Sequence, residues 1–128
     1  MRQANLSANS YIGLLIIALI LGVVFTQDVL ASDTRLRLLT IEPGDFTPTF
    51  DPATTSYAAT VDNSIDAVDV RGVLNDPDAI LTVNGLFSED RELILVPLEV
   101  GENTINVLVR AVDLSTETYT IIITREAP

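Results

Sequence analysis

From residue 35 onward, apolar and polar side chains alternate with a period of two. Leu36 and Leu38 alternate with Arg35 and Arg37, and Tyr57, Ala59 and Val61 with Ala58 and Thr60. Asp69 separates Val68 from Val70, and Thr82 separates Leu81 from Val83. Leu93 and Leu95 share a face near Glu92, as do Ile105, Val107, Val109 and Ala111. Tyr119, Ile121 and Ile123 fall on one side, with Thr118, Thr120 and Thr124 on the other. Successive side chains of a strand point to opposite faces, so this pattern predicts sheets with one wet face. Turn signals stand between the runs: Pro43-Gly44, Asp51-Pro52, Asp62-Asn63, Asn75 to Asp78, Asn84-Gly85 and Gly101. Asn84-Gly85 predicts a tight hairpin, because a type I′ turn needs positive φ at both central residues. Seven short punctuated strands predict an all-β, antiparallel sandwich. Tyr57, Val107, Val109, Tyr119 and Ile121 are expected to point into its core.

The chain before residue 32 reads differently. Residues 1–10 carry Arg2 and no acid, and Tyr11 to Phe25 holds no charge. The polar stretch that follows ends with Val29 and Ala31 in the small-residue positions of a leader-peptidase site. This is the order of a secretory signal peptide over residues 1–31, with cleavage between Ala31 and Ser32. A retained membrane anchor is the alternative, although the apolar run is shorter than the ~20 residues a span normally needs. Arg2 favours an N-terminus inside the cell, so either reading places residues 32–128 outside the cytoplasm. Secreted, periplasmic and cell-surface locations all remain open.

Composition narrows the partners. The 128 residues contain no Cys, His or Lys, and the net charge is −11. That length suits one domain behind the leader. Without cysteine there is no disulfide framework and no lipid-modified cysteine. A surface this acidic repels nucleic-acid phosphate and anionic headgroups. Nucleic acid is therefore not an expected partner, and the membrane is one only through an uncleaved N-terminal segment.

The stretch Phe50 to Val61, FDPATTSYAATV, gathers an Asp-Pro pair, three successive hydroxyl residues and a tyrosine. It reads first as a turn running into a strand. Asp51 bonds nearby amides, Pro52 fixes φ, and Tyr57 is the first inward residue with a hydroxyl for a partner at the rim. A ligand-facing Tyr57 is the functional alternative.

Leu36 and Leu39, PTFDPATTSY (48–57), DPDAILTVNG (76–85), LEVGENTINVLVRAVD (98–113) and YTIIITR (119–125) occur in this order. Together they resemble the bacterial cadherin-like β-sandwich domain, a short immunoglobulin-like module. The resemblance covers nearly all of residues 32–128 and implies that the FDPATTSY stretch is a signature of the fold. It does not extend to LFSEDRELILVP (86–97), which is variable in that family.

Cadherins proper bind calcium between successive domains, with acidic motifs from both sides of a linker. One domain without a linker implies no such site. Glu89-Asp90-Arg91-Glu92 looks like part of a calcium motif but sits in the variable stretch. Asp76 and Asp78 offer oxygen ligands on a loop, yet a shell of six to eight oxygens needs more. No metal or cofactor is expected. No catalytic residues are expected either, since the usual general bases and nucleophiles are missing and the glycines are scattered. A glycosidase pair of carboxylates needs a groove that short sandwich loops do not readily build.

The expected function is a non-enzymatic binding or adhesion module outside the cytoplasm. The sequence names no ligand; the expected partner class is a cell-surface polysaccharide or an envelope protein. The alternative is a structural or assembly subunit of an envelope complex that associates through edge strands.

Overall fold

The computed structural model describes residues 32–128. The segment read as a signal peptide or anchor lies outside the described residues. Among the described residues every regular element is a strand. They are β1 (Leu36–Glu42), β2 (Ser56–Val61), β3 (Ala67–Leu74), β4 (Ile80–Val83), β5 (Leu86–Ser88), β6 (Ile94–Pro97), β7 (Gly101–Arg110) and β8 (Thr116–Arg125). A three-stranded sheet has the order β1-β3-β6, and a five-stranded sheet the order β2-β8-β7-β4-β5.

Two expectations need correction. Among the described residues there are eight strands, not seven, and the sandwich is not wholly antiparallel. The additional strand is β5, three residues long, with Leu86 and Phe87 exposed. So short a segment, with two successive exposed apolar residues, shows no alternation to read. The parallel pair is β2 with β8, from Ser56 opposite Thr120 to Val61 opposite Arg125. Alternation tells which face of a strand is wet, not which way its neighbour runs. After β1 the chain crosses from the small sheet to the edge of the large one, where the last strand is its neighbour.

Within the strands the apolar pattern fixes the core with two local exceptions. Leu36 is buried but Leu38 is not, because the register of β1 against β3 shifts between these residues. The irregularity turns the strand over, so that Leu39 and Ile41 continue the inward face. Leu93 and Leu95 share a face as expected, but it is the exposed one. Ile94 and Val96 lie opposite Val70 and Val68 of β3, and this pairing fixes the inward face of β6.

Elsewhere the predicted inward set is buried: Tyr57 is 2% exposed, and Val107, Val109, Tyr119 and Ile121 are 0%. Burying each Val, Leu or Ile side chain contributes roughly 1.5–3 kcal/mol. The whole buried cluster lies between Leu36 and Ile123, so residues 32–128 hold their own core. At Gly72 the sheets approach closely, since a Cβ there would stand 3.1 Å from Leu81 Cδ2. The hairpin joining β4 to β5 has Asn84 at φ 48° and Gly85 at φ 83°, the left-handed pair that its sequence predicts.

Candidate functional site

The loop from Pro43 to Thr55 carries the chain between the sheets. Its conformation is set by two tyrosine hydroxyls. Tyr57 Oη accepts the Asp51 N–H at 3.1 Å, and its proton lies between the carbonyls of Asp51 and Thr54, each at 2.8 Å. Asp51 Oδ1 accepts the Ala53 N–H at 2.8 Å, closing the turn around Pro52. Tyr119 Oη accepts the Leu36 N–H at 3.0 Å and donates to the Pro52 carbonyl at 2.9 Å. Phe50 bridges the two tyrosines, with ring centroids 5.9 Å from Tyr57 and 6.3 Å from Tyr119, and Phe46 stands 5.1 Å from Tyr57. Tyr57 is thus a buried residue whose hydroxyl is committed to backbone. The alternative of a ligand-facing Tyr57 is overturned: Asp51, Thr54 and Tyr57 shape the loop. Burial raises the Tyr119 hydroxyl above the ordinary tyrosine pKa, against the opposing bond from the Leu36 N–H.

The other candidates are likewise engaged locally. Asp76 Oδ1 accepts the Asp78 N–H at 3.0 Å, and the Asp76 carbonyl accepts the Ala79 N–H at 3.0 Å, which makes the stretch an Asx turn. Asp90 Oδ1 accepts the Leu74 N–H at 2.8 Å, and the Arg91 N–H donates to the Gly72 carbonyl at 3.0 Å. Glu92 Oε1 accepts the Glu89 N–H at 2.8 Å. Asp90 and Arg91 of this turn therefore close the edge of β3 beyond the end of β6. Among the described residues no three carboxylates gather closely enough to hold a metal ion. Asn103 explains the Gly-Glu-Asn run: its side chain accepts the Glu99 N–H and donates to the carbonyls of Glu99 and Gly101. Asp33, which accepts the Arg35 N–H first and then its guanidinium and Asn75, is held below the usual carboxylate range. The Ser115 hydroxyl and N–H do the same for Asp113.

One recess is not consumed by such bonds. A groove of about 290 Å³ opens between Leu39–Ile41 of β1 and the wall made by Gly44, Asp45, Phe46, Thr49 and Phe50. Phe46 goes unremarked in the sequence pattern, and Phe50 enters only as the first residue of the FDPATTSY stretch, with no role of its own. The signal available was two aromatic residues flanking Thr47-Pro48-Thr49 in a stretch with no strand alternation.

These features define a class: a two-sheet β-sandwich module whose inter-sheet loop is pinned by tyrosines and flanks the edge strand β1. The profile of the cadherin-like β-sandwich domain matches residues 32–126, and the chain belongs to that family. No curated protein matches the chain. Membership points to an adhesion or binding module, of a kind that is generally non-enzymatic and typically extracellular or at the cell surface.

Proposed function

We propose that the chain is a non-enzymatic binding module that works outside the cytoplasm, on a cell-surface polysaccharide or an envelope protein. The observation that supports this reading is how the polar motifs are used. Asp51, Tyr57, Asp76, Asp90 and Tyr119 each hold backbone, so they serve the scaffold. The groove beside β1, with Phe46 and Phe50 in its wall, is left for recognition. Loops positioned by a rigid sandwich are the usual place for binding. The hydrophobic N-terminal segment supplies the export, as a leader cleaved before Ser32.

A tagged form of residues 32–128, incubated with the cell-envelope fraction, tests the reading. Saturable retention that the untagged domain competes away is expected. Loss of retention after polysaccharide digestion or after protease treatment then assigns the partner class. Retention that is neither saturable nor competed would overturn the proposal. A concentration-dependent oligomer in size exclusion, without envelope retention, would favour the assembly subunit instead. N-terminal sequencing of the exported protein is expected to begin at Ser32, and an intact Met1 would make the segment an anchor.

A further inference from the structure

A sheet edge is a row of backbone N–H and C=O groups without partners, and proteins normally shorten, cover or charge it. The sandwich has four edge strands: β1, β6, β2 and β5. Strand β6 has four residues and β5 three. Strand β2 is bridged on its outer side by Thr47, whose N–H and C=O both bond Ala58. Strand β1 is different. It has seven residues, and among the described residues no other backbone pairs with Leu38–Glu42 on the side away from β3. Its irregularity protects only the Leu36–Leu38 end. The groove runs along this unprotected part.

The two faces beside that edge differ. On the inner side Leu39 and Ile41 meet Phe46 and Phe50, an apolar surface. On the outer side Glu42 lies directly opposite Asp69 of β3, and Asp45 lines the groove just beyond. Like charges placed opposite each other across strands are destabilising. Among the described residues, neither Glu42 nor Asp69 has an ion-pair partner within 4.0 Å. On the same face Arg71 stands opposite Thr40, two pairs along from the acids, and lines a recess with Glu42 and Asp45 without forming an ion pair within 4.0 Å.

We propose that the open edge of β1 docks an extended segment of a cationic partner protein. The segment adds to the three-stranded sheet as a further strand. Its alternate apolar side chains sit in the groove against Phe46 and Phe50, and its basic ones lie beside Glu42 and Asp45, with Asp69 one strand further in. Strand addition supplies affinity through main-chain bonds and specificity through alternate side chains. A second copy of the chain is disfavoured as the occupant because each carries a net charge of −11. This inference deepens the binding-module reading and rests on it, while naming its partner class.

The test uses residues 32–128, which contain the whole core, and a synthetic peptide of alternating valine and arginine. About eight residues, at ~3.3 Å each, cover the edge. Two control peptides carry glutamate in place of arginine, or proline in place of valine so that amide donors are lost. The arginine peptide is expected to shift the amide resonances of Leu38–Glu42 and Gly44–Phe50 and to slow hydrogen exchange in β1. Both controls are expected to leave these signals unmoved. The double substitution Glu42→Lys, Asp45→Lys is expected to weaken the arginine peptide about tenfold, as reversal of two partly screened charges does. Equal binding of the proline control, shifts confined to another face, no binding at all, or self-association through β1 would each overturn the proposal. Envelope retention that persists when the arginine peptide fails would sink the strand-docking inference and leave the binding-module reading standing. Peptide binding without envelope retention would do the reverse.

Discussion

The Leu36 amide donates to the Tyr119 hydroxyl across 3.0 Å, joining the first strand to the last. The same hydroxyl donates to the Pro52 carbonyl at 2.9 Å, so one atom ties both chain ends of the sandwich to the inter-sheet loop. Tyr119→Phe removes the oxygen and leaves the buried Leu36 N–H without a partner. A cost of about 1–3 kcal/mol is expected for an orphaned buried donor. A melt lowered by several degrees checks this, at ~4–8 °C per kcal/mol for a domain of this size. An unchanged melting temperature would mean that the bond contributes nothing.

The same tyrosine sets a limit in alkali. Burial raises its pKa in the folded state above the unfolded value. The stabilisation this represents is fully present below about pH 10, the ordinary tyrosine value, and is lost as pH rises through the folded value. With no Lys or Cys in the chain, few other side chains titrate in that range. Denaturant unfolding between about pH 9 and pH 11 should show stability falling in the parent and a flatter profile in Tyr119→Phe.

Val109 lies opposite Leu81 and is 0% exposed. Val109→Asp places a carboxylate among apolar side chains with no charge partner. A cost of several kcal/mol is expected, a large share of the ~5–15 kcal/mol typical of a domain. Circular dichroism should find the variant unfolded or melting far below the parent.

Asp90 accepts the Leu74 N–H from the neighbouring strand. Asp90→Ala is expected to cost about 1 kcal/mol and to speed hydrogen exchange at the Leu74 amide. Asp90→Asn keeps a carbonyl oxygen at that position and should restore much of the protection. If alanine and asparagine behave alike, the side chain is not the acceptor in solution.

A net charge of −11 makes the folded domain repel itself. Raising salt from ~0.1 M to ~1 M shortens the Debye length from ~10 Å to ~3 Å and should raise the melting temperature. At equal ionic strength NaCl and CaCl₂ are expected to give nearly the same curve. A large rise at micromolar calcium alone would reveal a cation site, with Asp76 and Asp78 as the first positions to mutate.

The residues themselves determined the all-β class, the inward faces of most strands and the Asn84-Gly85 turn. Side-chain period and left-handed turn chemistry are local properties, readable from a few neighbours. They also identified the FDPATTSY stretch as a turn entering a strand, since Asp-Pro and a following amphipathic tyrosine carry that meaning locally. Tertiary structure alone decided the parallel pairing of β2 with β8, because strand direction leaves no trace in alternation. It also decided that Leu95 faces out while Val96 faces in, through the register that sets Val96 opposite Val68. The groove beside β1 belongs to the same category. Leu39 and Phe46 line it together only because the inter-sheet loop, pinned by the Tyr57 and Tyr119 hydroxyls, returns along a strand edge that no other described segment pairs with.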